Sequence, residues 1–183
     1  MTVARDEHGV AHIVGLSFGK DSTCMALALR EREPRPYTYV CTPTGDELPD
    51  MVAHMMRVES LLRSPVIKLT NGTLASQITL NNMLPNFQAR WCTRLLKLKP
   101  FGEFMQLHAP CVAYVGLRDD EDEREGTRPG GDSAPIGTDA VQDFPFQRWG
   151  WGIAEVLGYL AELGITVPER TDCARCPYQR LGE

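Results

Sequence analysis

Short apolar runs alternate with segments of helical spacing along this chain of 183 residues. The runs predict strands over 10–16, 36–43, 65–69 and 111–117. Helices are predicted directly after the first strand and over 49–62, 92–107 and 153–163, with a bend at Pro100. Parallel strands need crossover connections of this kind, and their sheets are covered on both faces. The sequence therefore predicts a doubly wound α/β fold with a mainly parallel sheet, as one domain over 1–183.

Charge is distributed unevenly along the chain. The net charge of −5 excludes a generally basic nucleic-acid-binding coat. Residues 60–102, however, contain six Lys or Arg and no Asp or Glu, and this segment is consistent with either an anion-binding surface or a solvated face. Six of the seven residues over 119–125 are acidic, which predicts mainly a solvated face in which Glu121 and Arg124 pair.

Nothing in the sequence indicates a membrane protein. No apolar run approaches the ~18 residues that a membrane-spanning helix needs, and Asp6 and Glu7 near the start do not fit a secretory signal peptide. We therefore expect a cytoplasmic location, where the six cysteines are thiols, catalytic groups or metal ligands rather than disulfides. The stretch 126–142, rich in Gly, Pro, Asp and Ser, predicts a mobile loop, and the tail over 171–183 carries a Cys-x-x-Cys.

The segment after the first predicted strand reads Ser17-Phe18-Gly19-Lys20-Asp21-Ser22. A glycine-containing loop between a strand and a helix directs backbone N–H groups and the positive end of the helix dipole at a phosphate. Its spacing does not fit a Walker A loop, and the sequence has no Gly-x-Gly-x-x-Gly. The segment resembles the Ser-Gly-Gly-x-Asp-Ser PP-loop of the adenine nucleotide alpha hydrolase superfamily, with Phe18 in place of the first glycine.

Five further blocks resemble motifs of the phosphoadenosine phosphosulfate (PAPS) reductase family and occur in that family's order. They are 44–50 (TGDELPD), 90–97 (RWCTRLLK), 116–124 (GLRDDEDER), 145–156 (PFQRWGWGIAEV) and 173–177 (CARCP). The chain is accordingly identified as a PAPS reductase-like member of the superfamily, which includes ATP pyrophosphatases and sulfonucleotide reductases. Thioredoxin-dependent reductases of the family also carry a Glu-Cys-Gly-x-His segment, which this sequence lacks, so PAPS reduction is not the expected activity.

The resemblance implies an adenine-nucleotide site at the carboxyl ends of the strands, where sheets of this kind bind ligands. It gives catalytic roles to Lys20, Asp21 and Arg118, with Arg118 neutralising phosphate charge. Asp21 and Glu47 are predicted magnesium ligands, although Glu47 is equally consistent with an acid at a helix N-terminus. The residues implied to bind the nucleotide are Ser17, Gly19, Lys20, Asp21, Ser22, Thr23, Thr44, Gly45, Gly116 and Arg118.

The six cysteines divide into two groups. Three lie within apolar elements and are expected in the core: Cys24, Cys41 and Cys111. The other three fall on family motifs and are implied to hold an iron–sulfur cluster, expected as 4Fe–4S with one open iron: Cys92, Cys173 and Cys176. Trp91 stands where the related cluster-bearing reductases have a fourth cysteine. Zinc and metal-free thiols are the alternatives, and the sequence shows no fourth zinc ligand.

The resemblance implies an ATP pyrophosphatase-type enzyme of sulfur transfer. A substrate oxygen attacks the α-phosphate of ATP, pyrophosphate leaves, and sulfur then displaces AMP. Two alternatives remain open, a sulfonucleotide reductase and a nucleotide- and cluster-binding regulatory subunit. The expected ligands and partners are ATP with Mg²⁺, a sulfur donor, and an acceptor that is either a nucleic acid or a small molecule. Association as a homodimer or with a partner protein is also left open.

Overall fold

One parallel sheet organises this computed structural model, which describes residues 3–121, 139–169 and 171–178. Its strands within those ranges are β1 (Ala11–Leu16), β2 (Tyr37–Cys41), β3 (Val66–Lys68), β4 (Cys111–Tyr114) and β5 (Ala140–Asp143). They lie in the order β3-β2-β1-β4-β5, and every neighbouring pair is parallel. The predicted α/β fold with a parallel sheet is confirmed.

Helices cover both faces of the sheet. In the described ranges they are α1 (Lys20–Arg32), α2 (Pro49–Leu62), α3 (Leu74–Asn81), α4 (Trp91–Thr93), α5 (Lys99–Leu107), α6 (Pro145–Trp149) and α7 (Ile153–Glu162). Alternate residues of a strand point to opposite faces. Val14 of β1 accordingly joins the core formed with α1, α2, α6 and α7, while Ile13 joins a second core with α5. Of the described helices, none has the length and apolar character needed to cross a bilayer.

The central position of β1 determines where a ligand site can form. From β1 the chain leads first to β2 and β3 on one side, and later to β4 and β5 on the other. The connections that leave β1 and β4 therefore depart from the sheet in different directions and open a crevice between them. In open parallel sheets, ligands bind in such a crevice at the carboxyl ends of the strands.

The helical segment before β4 contains a wider turn. Prediction gave a helix over 92–107 bent at Pro100, whereas the structure has α4, a π-helical stretch over Arg94–Leu98, and α5 in continuous succession. The backbone N–H of Lys99 donates to the carbonyl of Arg94, five residues earlier. A proline within a helix lacks an N–H and clashes with the carbonyl four residues before it. The π-helical stretch directly before Pro100 accommodates both effects.

Several other sequence predictions need correction. Helices α3 and α6 and strand β5 were not predicted, and β5 at 140–143 overlaps the end of the segment expected to be a loop, 126–142. The part of that loop over 126–138 lies outside the described residues. On α2 the helical spacing of the sequence predicts one face formed by Val52, Met55, Met56, Glu59 and Leu62. Of these, Leu62 is buried, whereas Val52 and Met56 are exposed, and the other buried positions are Met51, His54 and Val58. The spacing of apolar residues did not reveal the buried face, because one of its positions is occupied by His54.

The three cysteines predicted to lie in the core are buried there: Cys24, Cys41 and Cys111. We expect the first two to make the stability of the folded chain depend on pH in the alkaline range. Burial raises the pKa of Cys24 and of Cys41 from 9.0 to about 12. A thiol whose pKa is higher in the folded than in the unfolded chain favours the folded state. This contribution to stability is complete below pH 9 and is lost as the pH rises towards 12. The urea midpoint should therefore fall across this window, and less steeply in a Cys24→Ala/Cys41→Ala variant. Parallel curves for the two proteins would contradict this.

Candidate functional site

A cleft of about 1260 Å³ lies at the carboxyl ends of the strands. Its walls come from the loops after β1, β2 and β4, from Lys97 and Phe101 of the helical segment before β4, and from α7 with the chain directly after it. Ser17, Gly19 and Lys20 of the predicted phosphate loop line it. The cleft therefore lies where the crossover connections diverge, and its volume exceeds that of most drug-sized ligand pockets.

Two serines hold the loop after β1 in shape. The Ser22 hydroxyl lies 3.0 Å from the Ser17 hydroxyl and 3.2 Å from the Ser17 backbone nitrogen, which donates to it. Ser22 also donates to the carbonyl of Gly19 at 3.3 Å. Gly19 precedes the first turn of α1, and no side chain caps that turn. Because α1 begins at the cleft, its first backbone N–H groups and the positive end of its dipole are available to an anion there.

Phe18 adopts a conformation that aromatic residues rarely take. Its φ is +60°, in the left-handed region, and its side chain is only 3% exposed, within the core formed by α1, α2, α6 and α7. The PP-loop pattern has glycine here, and glycine reaches this region without steric cost. The chain therefore keeps the backbone path that glycine would allow, and burial of the Phe18 ring compensates for the strain.

A network of charges lies behind the loop. The Lys20 ammonium is 3.0 Å from Asp21, and the Arg118 guanidinium is 2.9 Å from the other oxygen of the same carboxylate. Arg118 also pairs with Asp120 at 2.8 Å and with Glu121 at 3.2 Å. The predicted pairing of Glu121 with Arg124 falls outside the described residues. Arg118 is 13% exposed and does not line the cleft, whereas Lys20 and Asp21 do.

Glu47 stabilises the turn after β2 through hydrogen bonds. Its carboxylate accepts hydrogen bonds from the backbone N–H and hydroxyl of Thr44 and, at 3.0 Å, from the backbone N–H of Gly45. Gly45 has a φ of +72°, and a Cβ there would lie 2.8 Å from the Thr73 side chain. Glu47 lines the cleft, but its present bonds are to this turn. Its predicted role as a magnesium ligand stays a prediction.

Not every predicted nucleotide-binding residue lies in the cleft. The Thr23 side chain is fully buried and its backbone N–H bonds to Gly19, so the structure gives it a place in the core. Thr44 and Gly45 are not among the lining residues, but both bond to Glu47, which is. Gly116 lines the cleft, where an added Cβ would come within 3.3 Å of the Asp21 backbone. This close approach explains a glycine at that position.

The tail is docked across the turn after β2. Arg175 pairs with the buried carboxylate of Asp46 at 3.0 Å, and its backbone N–H donates to the same side chain. The Cys173 thiol lies 3.2 Å from the Thr44 hydroxyl, and residues 47 and 173 form an antiparallel bridge. Neither Asp46 nor Arg175 was predicted, although both lie inside motifs quoted from the sequence. Through these contacts Cys173 lines the cleft.

The three motif cysteines are not assembled into a metal site. Within the described part of the chain, no three His, Cys, Asp or Glu side chains are arranged to hold a metal ion. Cys92 packs against the small apolar cluster of Leu74, Trp91 and Leu96. Burial raises the pKa of Cys173, which favours the neutral thiol over the thiolate that a metal requires. The described arrangement therefore does not fit the predicted cluster.

The comparison with known proteins agrees with the motifs. A model of the phosphoadenosine phosphosulfate reductase domain family matches residues 11–172, so the chain belongs to this family. No curated protein sequence matches it.

Two solved structures share the fold. The PAPS reductase from Candida auris, in a phosphate complex, gives a TM-score of 0.63 at 12% identity, covering 85% of this chain and 74% of that one. The U34-tRNA thiolase NcsA from Methanococcus maripaludis, solved with its 4Fe-4S cluster, gives 0.58 at 16% identity, covering 93% of this chain and 61% of that one. At these identities the likeness concerns the fold alone.

Substitutions at Phe18 should separate backbone strain from ring burial. Phe18→Ala and Phe18→Gly both remove the ring, at a cost of roughly 3–5 kcal/mol. Only Ala keeps a Cβ in the left-handed region, which costs about 1–2 kcal/mol. We therefore expect the Gly variant to be the more stable of the two in urea unfolding, although Gly ordinarily destabilises relative to Ala.

The matched control is Ala53→Gly at an exposed position of α2. It should show the ordinary order, with Gly about 1 kcal/mol less stable than Ala. An Ala variant of Phe18 at least as stable as the Gly variant would show that the left-handed backbone is not under strain.

Proposed function

We propose that this member of the PAPS reductase domain family is an ATP pyrophosphatase-type enzyme of sulfur transfer. One observation carries the proposal: a PP-loop with its lysine and a motif cysteine of the tail line the same cleft. Lys20 and the start of α1 supply positive charge, and Cys173 supplies a thiol. The family assignment supports a sulfur-related, nucleotide-binding function, and the solved thiolase supports the fold's suitability for sulfur transfer.

The proposed reaction has two steps. In the first, an oxygen of the acceptor attacks the α-phosphorus of ATP, the bond to the bridging oxygen of the β-phosphate breaks, and pyrophosphate leaves. In the second, a sulfur nucleophile at the oxidation level of sulfide attacks the acceptor carbon. The carbon–oxygen bond then breaks and AMP leaves, so no net oxidation occurs. Such chemistry depends mainly on positioning and charge neutralisation, which we assign to Lys20 and the N–H groups of α1.

The Asp21 carboxylate in the cleft supports a requirement for Mg²⁺. Among the described residues, Lys20 and Arg118 pair with the carboxylates of Asp21, Asp120 and Glu121. A triphosphate entering the cleft meets the Asp21 carboxylate, and a cation that accompanies it would offset the repulsion between them. Asp21 lines the cleft, and its carboxylate suits Mg²⁺, which binds through one or two carboxylates plus phosphates. When bound, Mg²⁺ neutralises phosphate charge, and Arg118 holds the Asp21 carboxylate in place.

A second function is favoured by the family itself. A sulfonucleotide reductase uses a cysteine thiolate to attack the sulfur of the substrate, and Cys173 lines the cleft. Incubation with PAPS and dithiothreitol distinguishes this reaction, because the reductase yields sulfite and the sulfurtransferase does not. If the isolated protein binds ATP but releases neither pyrophosphate nor sulfite, the third hypothesis remains, a nucleotide-binding regulatory subunit.

Replacing Lys20 tests the first step. Lys20→Ala should lower kcat/KM for pyrophosphate release from ATP by about 10- to 100-fold, the effect of losing one hydrogen bond to a charged group. ATP affinity, measured by calorimetry, should fall in the same variant. The matched control is Lys99→Ala, an exposed lysine of α5 that pairs with Glu103 at 3.9 Å and should change neither quantity. Equal ATP affinity in Lys20→Ala and the parent would refute the assignment of the loop.

ATP binding measured with and without chelation of Mg²⁺ provides a second test. EDTA should weaken ATP binding to the parent, because Mg²⁺ would otherwise offset the repulsion between the Asp21 carboxylate and the phosphates. Asp21→Asn removes one of those charges and a predicted magnesium ligand, so EDTA should weaken its ATP binding less. If both proteins respond equally to EDTA, Asp21 is not a magnesium ligand.

The predicted iron–sulfur cluster is tested separately, and no step above depends on it. The hypothesis expects protein purified without oxygen to contain about four irons and four sulfides per chain. Cys92→Ala should lose the iron, while Cys24→Ala should keep it because Cys24 is buried in the core. Colourless anaerobic protein would refute the cluster and agree with the described residues, among which no metal-holding group is assembled. Zinc in stoichiometric amount would support the alternative metal.

A further inference from the structure

An exposed aromatic pair lies where the tail meets the segment before α4. Phe87 and Tyr178 are 66% and 45% exposed, and their rings pack edge to face with centroids 4.8 Å apart. The Arg90 guanidinium lies 4.4 Å from the centroid of the Tyr178 ring. Leu80 and Leu84, in the same stretch of sequence, are 78% and 65% exposed. Large side chains grouped in this way on a surface mark an interaction site more often than single exposed ones.

The structure holds this pair in place. The Asn86 side chain accepts hydrogen bonds from the backbone N–H groups of Gln88 and Ala89 at 2.9 and 2.8 Å, which fixes the turn that presents Phe87. The Tyr178 hydroxyl donates to the Phe87 carbonyl at 3.2 Å. The two rings are therefore ordered before any partner arrives, which lowers the entropic cost of binding.

Positive charge connects the aromatic pair to the cleft. Arg90 stacks on Tyr178, Lys97 lines the cleft, and exposed Arg94 lies between them in the sequence. Seven residues of helix extend on the order of 10 Å, about the span of two stacked nucleotides. In the described ranges none of these three cations forms an ion pair with a carboxylate, and residues 60–102 contain no Asp or Glu. The chain as a whole has a net charge of −5, so the positive charge of this surface is opposite in sign to that of the whole chain.

We propose that this surface binds a single-stranded nucleic acid, which is the sulfur acceptor of the cleft. The proposal rests on the proposed function, since it names that reaction's acceptor class. Unpaired bases stack on Phe87 and Tyr178, and the phosphates lie against Arg90 and Arg94 on the way to the cleft. A single strand combines repeated negative charge with exposed flat rings, and both features of the surface match it. In a duplex the ring faces are already stacked on each other.

Binding can be measured by fluorescence anisotropy with labelled 15-nucleotide oligomers, in the absence of ATP. The parent should bind single-stranded RNA or DNA more tightly than a duplex of the same length, and the RNA and DNA arms identify the sugar preferred. Phe87→Ala should weaken binding about tenfold or more without changing its salt dependence. Arg94→Ala should weaken it and reduce the slope of log affinity against log salt by about one.

Two substitutions serve as matched controls. Leu107→Ala removes an apolar side chain that is 78% exposed, and Arg35→Ala removes an exposed arginine. They precede β4 and β2, so they lie at the amino ends of the strands, on the opposite edge of the sheet from the cleft. Neither should change oligomer binding.

The outcomes separate this proposal from the proposed function. No binding by the parent at low salt, or equal binding by Phe87→Ala, Arg94→Ala and the parent, would overturn the nucleic-acid surface even if pyrophosphate release is found. Oligomer binding lost in these two variants supports the surface, and absence of pyrophosphate release would then overturn only the enzyme. A parent that sediments as a dimer, with Phe87→Ala a monomer, would show that the surface joins two copies of this chain.

Discussion

The parallel pairing of β1 with a strand on each side is the constraint on which the site depends. Because both neighbours run in the same direction as β1, every connection must cross over the sheet, and those after β1 and β4 diverge. The crevice exists before any side chain is considered. The loop over 17–19 lies in it because that loop comes directly after β1, and Gly116 lies in it because it comes shortly after β4. Side chains then decide which ligand the crevice binds.

The charged side chains described around the phosphate loop are paired with one another. Arg118 is shared among Asp21, Asp120 and Glu121, and Asp120 also accepts a hydrogen bond from the backbone N–H of Ile153 at the start of α7. The acidic run that looks like a solvated face in the sequence thus has two members that organise the arginine. One guanidinium links the phosphate loop, the loop after β4 and a helix from the last part of the fold. Anything that draws Arg118 towards a ligand must also release these carboxylates.

The sequence predicts the fold and the position of the cleft well, because both depend on hydrophobic periodicity and on the loop after β1. The sequence predicts less where contacts between distant segments of the chain determine the local structure. Strand β5 has four residues, two of them polar, and its pairing with β4 is what makes it a strand. In the sequence Phe18 is only a departure from the glycine of the PP-loop pattern, and the structure is needed to show that its ring is buried. The docking of the tail rests on Asp46 and Arg175, which are 129 positions apart, and no local pattern reveals such a pair.

That docking has a consequence for how the protein matures on the ribosome. The sheet through β5 is complete once residue 143 has emerged, and the phosphate loop is present much earlier. The wall that contains Thr171 and Cys173 forms only after residue 175 can reach back to Asp46. A nascent chain therefore has a folded scaffold while its cleft is still open on one side. Competence to hold a ligand is therefore acquired later in synthesis than the sheet itself.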